Sequence, residues 1–313
     1  MPIWRKMRLL SRAPTKPTLK GSCMKKFLFV LAVISIMPNA ARAIWFWSNN
    51  NDTAAKIRSV KVAGNRHSQS FYAVKKEMLR DVYYDHRRTL YCDAEFTAHK
   101  QIMPPEGFAL PNLRKVDFDV HYIPAEELEV RAARMEWEHI VPAQNFGKTF
   151  PEWSKGHPKC KSNKGKSFKG RACAEQESED FRYMYTDMYN LYPSIGAVNY
   201  LRANYNFTQF SNRKKPTFGS CGQMVISGNK VEPRDAVKGL IARTYFYMQS
   251  TYPRYSIGEP MAAVLKAWDK QYPVSRWECV RAYRIEKVQG NANTIVKQRC
   301  EDRGWYNEGE DAE

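Results

Sequence analysis

Six cysteines that follow an export signal restrict how this chain can fold more than any other feature of its sequence. After Met24, two lysines precede eleven mostly apolar residues and then Ala41-Arg42-Ala43, a small-x-small cleavage pattern. Eleven apolar residues are fewer than the ~20 that cross a bilayer as a helix. We therefore expect an N-terminal extension and a cleaved signal peptide in residues 1–43, with Met24 as the true start, and a periplasmic or secreted mature chain. The alternatives are a long basic n-region that begins at Met1 and an uncleaved anchor.

An even number of cysteines in an oxidising compartment is typical of disulfides. Those of the mature chain are Cys92, Cys160, Cys173, Cys221, Cys279 and Cys300. The sequence predicts three disulfides, but six cysteines allow about 15 pairings, and only Cys160–Cys173 is favoured by proximity. A structural zinc site is the rival interpretation, which the absence of any C-x-x-C or H-x-x-x-H spacing weakens.

The charge of the chain is partly a property of the export segment. The whole chain has 50 basic and 32 acidic residues, a formal charge of +18. Nine basic residues and no acid lie in residues 1–43, so the mature chain retains only +9. Such a charge suits a polyanionic partner, nucleic acid among others, although a basic surface that only aids solubility explains it equally well.

The mature chain shows no repeat and no long linker, which predicts one domain over residues 44–300 and an acidic, solvated tail over residues 301–313. Hydrophobic periodicity predicts helices and strands without a regular βαβ alternation, so the expected fold class is α+β. The predicted helices are residues 70–85, led by a Ser70 cap, and residues 184–191, 234–252 and 262–271. The predicted strands are residues 88–92 and 116–123.

Glu138 and His139 offer the chemistry of a hydrolase. A carboxylate is a hard ligand for a divalent cation, and a histidine is a base that titrates near neutrality. Metal-assisted attack of water on a phosphodiester needs both parts. Alone, the pair is equally consistent with a structural histidine, and Asn190, a second candidate oxygen ligand, with a helix cap.

Residues 155–171 contain seven basic residues and no acid. Glycines and an asparagine mark this stretch as a loop, and a basic loop can follow a phosphate backbone whatever the base sequence. Its basic members are Lys155, Lys159, Lys161, Lys164, Lys166, Lys169 and Arg171. A solvated polar loop is the alternative interpretation.

Several separated motifs resemble the bacterial endonuclease I family of exported nonspecific nucleases. In order along residues 70–300 they are Glu136-Trp137-Glu138-His139-Ile140-Val141-Pro142-Ala143, Asp187-Met188-Tyr189-Asn190-Leu191, Pro193-Ser194-Ile195-Gly196, Val198-Asn199, Gly239-Leu240-Ile241-Ala242-Arg243-Thr244-Tyr245-Phe246-Tyr247-Met248, Tyr272-Pro273-Val274, Trp277-Glu278-Cys279 and Gln289-Gly290-Asn291-Ala292-Asn293.

The resemblance implies a mixed α/β domain with a ββα-metal, or His-Me finger, active site. It implies that His139 is the general base, that Glu138 and Asn190 hold one Mg²⁺, and that Arg171 stabilises the phosphate. If the long basic loop shifts the alignment with the family, Lys169 takes the role given to Arg171.

The expected substrate is DNA, with RNA as a further candidate, and the enzyme is expected to be a monomer that does not bind membranes after signal cleavage. We expect Lys164, Lys166, Lys169 and Arg202 to contact nucleic acid. Tyr200, Tyr205 and Phe207 either line the cleft or pack in the core.

Two other functions compete with the nuclease. A noncatalytic periplasmic polyanion-binding protein would keep the fold and bind in a salt-sensitive way without turnover. A glycan hydrolase that uses Glu136 and Glu138 is the weaker alternative, because their spacing shows no sign of the separation across a bond that such enzymes need.

Overall fold

Two antiparallel strands followed directly by a helix form the centre of the structure. In this computed structural model, residues 64–112, 123–212, 214–221 and 224–309 are described. Strand β3 pairs with β4, with Glu138 opposite Tyr192 and His139 opposite Leu191, and α7 begins immediately after β4. Because β3 and β4 are antiparallel, the first turn of α7 lies beside the start of β3, where the amide of Gly196 donates to the carbonyl of Arg134. The last residue of α7, Arg202, reaches the end of β3 and donates to the carbonyl of His139.

The described residues contain short strands and many helices. The strands are β1 (Glu95–Phe96), β2 (Ile102–Met103), β3 (Met135–His139), β4 (Leu191–Ile195), β5 (Asn206–Phe207), β6 (Val225–Ser227) and β7 (Lys230–Glu232). The helices are α1 (Phe71–Glu77), α2 (Ala125–Ala132), α3 (Ala143–Gly147), α4 (Pro151–Ser154), α5 (Arg171–Glu177), α6 (Glu179–Tyr185), α7 (Gly196–Arg202), α8 (Asp235–Thr251), α9 (Glu259–Gln271), α10 (Arg276–Gln289) and α11 (Thr294–Glu301). A π-helical turn, Met78–Val82, continues α1, and a 3-10 turn, Met188–Asn190, precedes β4.

Helix α8 lies in the core, as expected for a helix with apolar residues on most of its faces. Its Arg243 is almost fully buried and ties three helices together, because it donates to Glu278 of α10 at 2.7 and 2.6 Å and to Asp269 of α9 at 3.1 Å. A buried guanidinium needs such partners, since an unpaired buried charge is strongly destabilising.

The α+β class is confirmed, and so are three of the helices. Ser70 caps α1 by accepting from the amide of Ala73, and α8 and α9 match the two later predictions closely. The prediction of a helix over 184–191 is wrong, because the Asp187 side chain accepts from the amide of Tyr189 and caps a separate 3-10 turn.

The prediction of a strand over 88–92 is also wrong. These residues form a bridge and a turn, in which the amide of Asp93 donates to the carbonyl of Thr89. The other predicted strand, residues 116–123, lies almost wholly outside the described residues. So do the signal segment and residues 310–313.

The tail, predicted to be a solvated end, is exposed at residues 301–304, 307 and 308, whereas Trp305 and Tyr306 are half-buried. The Tyr306 hydroxyl donates to Glu286 at 2.5 Å, and Arg284 donates to the carbonyl of Glu308 at 2.7 Å. Trp305 packs against the core as well. These contacts attach the end of the described chain to α10.

Three disulfides join Cys92 to Cys221, Cys160 to Cys173 and Cys279 to Cys300. The prediction of three disulfides and the favoured Cys160–Cys173 pairing are therefore confirmed. Within the described ranges, no helix has the length and apolar character needed to cross a membrane.

Candidate active site

A cavity of about 360 Å³ opens where β3 ends. Its walls include the first residue of α1, the end of β3, the start of α3, the start of α5 and the middle of α7. The lining residues are Phe71, Arg131, Trp137, Glu138, His139, Pro142, Ala143, Gln144, Arg171, Tyr185, Asn199, Tyr200, Ala203 and Asn204. Three of the predicted site residues, Glu138, His139 and Arg171, are thus brought together.

His139 is held in one orientation. Its Nε2 lies 2.8 Å from the carbonyl oxygen of Tyr185, and its ring stacks on the Tyr185 ring at 4.6 Å. Because a carbonyl oxygen only accepts hydrogen bonds, Nε2 must carry the proton, and in the neutral ring Nδ1 then carries the lone pair. The structure therefore defines which nitrogen of His139 can act as a base.

The surroundings of His139 favour its neutral form. The pKa of His139 is lowered to about 3, mainly by burial and partly by the charges of Arg171 and Arg202, while the hydrogen bond with the Tyr185 carbonyl opposes the shift. A neutral imidazole can accept a proton, whereas an imidazolium cannot.

Glu138 is buried beside His139. Its Oε1 accepts from the Tyr91 hydroxyl at 2.7 Å and forms an ion pair with Arg202 at 3.0 Å. Both contacts end on the same oxygen, so neither uses Oε2. Burial raises the pKa of Glu138 even though Arg202 and Tyr91 act in the opposite direction.

Asn190 does not line the cavity, contrary to what its predicted role as a metal ligand requires. Its Oδ1 accepts from the amide of Val141 at 2.8 Å, and its Nδ2 donates to the carbonyl of the same residue at 3.0 Å. The side chain is fully buried. The Asn190 amide group therefore pairs with the backbone just beyond the end of β3, in the way that a neighbouring strand would. Its oxygen already accepts a hydrogen bond there.

Asn199, in the first turn of α7, lines the cavity instead. Its Nδ2 donates to Glu136 Oε2 at 3.2 Å. A carboxylate at neutral pH only accepts hydrogen bonds, so this contact requires the amide nitrogen to face Glu136 and leaves Oδ1 turned elsewhere. Gly196 permits the close approach, since a Cβ there would lie 2.8 Å from Glu136 Oε1.

Arg171 is exposed at the start of α5, with its guanidinium carbon 5.6 Å from the centre of the Tyr185 ring. The loop before it folds back on itself through a bridge between Lys161 and Ser167. The Cys160–Cys173 disulfide closes this loop at its base. Lys164, Lys166 and Lys169 are exposed on it, as their predicted role requires.

Arg202, which was predicted to contact nucleic acid, lies inside the protein. Its side chain is fully buried, and it donates to the carbonyls of His139 at 2.8 Å and Ile140 at 2.7 Å besides pairing with Glu138. Arg202 is therefore a support for the end of β3. Tyr205 and Phe207 are buried in the core, whereas Tyr200 lines the cavity.

Sequence reasoning missed Asn199, Tyr185 and Tyr91. Asn199 stands in one of the motifs that carry the family resemblance, and the available signal was its place one turn into the helix that follows β4. Tyr185 acts through its backbone carbonyl, which has no sequence signature. Tyr91 lies 47 residues from Glu138, so only the fold shows that they meet.

Comparison with known proteins identifies the family. The family model described as Endonuclease I matches residues 70–300. A periplasmic deoxyribonuclease of Aeromonas hydrophila is 36% identical over 236 residues, which cover 75% of this chain and 88% of that protein. An extracellular deoxyribonuclease of the same species is 36% identical over 235 residues, covering 74% of this chain and 90% of the relative. Endonuclease-1 of Buchnera aphidicola (Acyrthosiphon pisum) is 29% identical over 259 residues, covering 82% and 89%.

The chain belongs to the endonuclease I family, and it is an endonuclease. The compartments in the relatives' names, periplasmic and extracellular, agree with the export that the N-terminal sequence predicts.

Proposed function

We propose that this chain is an exported, Mg²⁺-dependent endonuclease that hydrolyses phosphodiester bonds of DNA without sequence preference, with RNA as a second substrate to be tested. The observation that carries the proposal is the convergence of His139, Glu138, Asn199 and Arg171 on one cavity. These residues supply a base, two kinds of oxygen ligand and a cation beside one another.

His139 is the general base in this proposal. A water proton passes to Nδ1, the water oxygen bonds to phosphorus, and the bond from phosphorus to one sugar oxygen breaks. That oxygen keeps the electron pair of the broken bond and takes a proton from solvent to become a hydroxyl. The Tyr185 carbonyl keeps the ring fixed through Nε2 during this transfer. General-base catalysis of this kind contributes about 10²–10⁴-fold to a rate.

Glu138 and Asn199 are the proposed protein ligands of one Mg²⁺. Mg²⁺ prefers oxygen ligands and keeps several waters, so one carboxylate and one amide oxygen suit it better than a larger protein cage. The described residues agree with such a sparse site, since they contain no cluster of three or more His, Cys, Asp or Glu that could hold a metal. Bound there, the ion would offset negative charge on the phosphate oxygens.

The fit rests on two features of these side chains. Glu138 is a buried carboxylate whose ionisation is opposed by burial and whose Oε2 is not used by Tyr91 or Arg202. Asn199 turns its oxygen away from Glu136. The side-chain oxygen of Asn190 already accepts from the amide of Val141. We therefore replace Asn190 by Asn199 in the proposed ligand pair. In this proposal β3, β4 and α7 are the two strands and the helix of a ββα-metal site, with Glu138 and Asn199 as its ligands.

Arg171 and the lysines of the basic loop account for substrate binding. A guanidinium beside the base can pair with the charge that develops on the phosphate. The exposed Lys164, Lys166 and Lys169 would contact neighbouring phosphates, which carry no base information, and this explains cleavage without sequence preference.

A plasmid and RNA digestion assay tests the proposal. The oxidised mature protein should nick plasmid DNA with Mg²⁺ and stop when a chelator is added, and His139→Ala should lose activity by about 10²-fold or more. His86→Ala is the matched control, because His86 stacks on Trp277 outside the cavity. Equal cutting by His139→Ala and the parent would refute the assignment of the base. Salt-sensitive binding without cutting would favour the polyanion-binding alternative.

A further inference from the structure

Helix α1 carries a basic surface that starts at the edge of the cavity. Phe71, its first residue, lines the cavity, and its ring centre lies 5.4 Å from that of His139 and 4.8 Å from that of Tyr185. The same helix carries Lys75 and Lys76. We call Tyr72, Lys75, Lys76 and Lys100 the α1 patch.

Lys75 is the member of the α1 patch closest to the chemistry. Its ammonium lies 4.7 Å from the centre of the Phe71 ring. It is therefore at most roughly 10 Å from the centre of the His139 ring, an axial distance that no more than about three nucleotides cover, since one strand carries a phosphate every ~3.4 Å. A strand with one phosphate at His139 would bring a neighbouring phosphate to Lys75.

Tyr72 and Lys76 extend the α1 patch along the helix. Tyr72 is 65% exposed, and the Lys76 ammonium lies 4.4 Å from the centre of its ring. A cation held over an aromatic face is already ordered before a ligand arrives. The pKa of Tyr72 is lowered by a hydrogen bond with Lys76 and by the charge of Lys76, against a small opposing effect of burial, and the charges of Lys100 and Lys75 lower it further.

The acids nearest to these lysines in sequence are engaged by other residues. Glu77 contacts His67 at 2.9 Å, and Asp81 pairs with Arg80 at 2.6 Å. Within the described parts of the chain, neither Lys75 nor Lys76 forms an ion pair. Their charges are therefore available to an anionic ligand.

From this geometry we propose that the α1 patch binds the sugar-phosphate backbone of the substrate strand, within about three nucleotides of the phosphate that is cut, with Lys75 and Lys76 each contacting one phosphate. The proposal rests on the nuclease function above and adds a second binding surface to it. This surface comes from a different part of the chain than the basic loop around Lys164–Lys169.

The experiment measures how DNA binding depends on salt. Binding of a fluorescent DNA duplex is measured in chelator, where the DNA is not cut, between 50 and 200 mM salt. Each lost phosphate contact reduces the slope of log K against log salt by about 0.9. Lys75→Ala/Lys76→Ala should therefore reduce the slope by about 1.8, and Lys76→Ala alone by about 0.9.

The matched control removes two lysines from another helix. Lys266→Ala/Lys270→Ala changes the net charge equally, and both lysines are exposed on α9, outside the cavity. A slope that the α1 variants leave unchanged, or that the control reduces equally, would overturn the proposal. The assay needs no turnover, so it is independent of the nuclease activity. If the parent were inactive but the lysine variants changed the slope as predicted, the proposed nuclease chemistry would be refuted and the binding surface would not.

Discussion

The amide nitrogen of Asn199 donates to the carboxylate of Glu136 at 3.2 Å, and Glu136 is itself held by Arg131 at 2.5 Å and Arg134 at 3.0 Å. This chain of contacts fixes which end of the Asn199 amide can face a cation. Glu136 is thus a positioning residue, although it lies one residue before the Trp137-Glu138-His139 run.

Glu136→Gln should weaken metal binding, because a glutamine can either accept from or donate to Asn199 and so no longer fixes the orientation of its amide. Losing a partner that orients a ligand typically reduces metal affinity by about 10–100-fold. Calorimetric titration with Mg²⁺ or Mn²⁺ measures this directly, with Glu129→Gln on the exposed side of α2 as the control. An unchanged affinity would contradict the positioning role.

Asn199→Ala and Asn190→Ala should have opposite effects. Without Asn199 the protein should lose metal affinity and keep its melting temperature. Without Asn190, the buried amide and carbonyl of Val141 lose their partners, and the free energy of unfolding should fall by about 2 kcal/mol. Metal titration and thermal melts of both variants separate the two residues. If Asn190→Ala lost metal affinity and Asn199→Ala lost stability instead, Asn190 would be the ligand.

Reduction should lower nuclease activity, because Cys160–Cys173 closes the basic loop two residues beyond Arg171. Cys160→Ser/Cys173→Ser should reproduce the loss without a reductant, and it should destabilise the protein by about 3 kcal/mol at most, as expected for a loop of this length. Cys279→Ser/Cys300→Ser is the control for stability loss away from the site. Full activity of the parent in dithiothreitol would show that the loop needs no covalent closure.

Asp269→Asn should reduce stability at neutral pH and make little difference in strong acid. Burial tends to raise the pKa of Asp269, but Arg299 and Arg243 outweigh burial and lower it below its ordinary value. A lowered pKa contributes stability above the unfolded-state value near 3.8, and this contribution is lost as the pH falls through the folded-state value.

The stability difference between parent and Asp269→Asn should therefore be roughly 2 kcal/mol at pH 7 and approach zero near pH 2. Chemical denaturation at a series of pH values measures it. Asp302→Asn is the control, because it removes a carboxylate whose side chain accepts from Gln298 on the surface. A difference that does not change with pH would show that the pKa of Asp269 is not lowered.

Local patterns predicted the parts of the fold that depend on nearby residues. The Ser70 cap, the long apolar helix α8 and the nearby cysteine pair were all readable in this way. The helix expected over 184–191 fails because the side chain of Asp187 also accepts from Tyr247 at 2.8 Å and Tyr252 at 2.6 Å, partners about 60 residues away. Long-range contacts of this kind override local helix propensity.

The candidate site was predictable only in its residue types. Glu138, His139 and Arg171 were identified and do share a cavity, but motif order alone could not separate Asn190 from Asn199. Their roles differ because one precedes β4 and the other follows it. The sequence does not indicate that Arg202 is buried, and only the structure shows its contacts with the carbonyls of His139 and Ile140.

The Cys92–Cys221 disulfide joins positions 129 residues apart, and every residue of the candidate site except Phe71 lies between them. The basic loop lies within this span as well, and Cys160–Cys173 encloses its part from Lys161 to Arg171 a second time. A single proteolytic cut at Lys164, Lys166 or Lys169 would therefore open only this inner ring and release no fragment. The two halves of the site would stay covalently joined after such a cut.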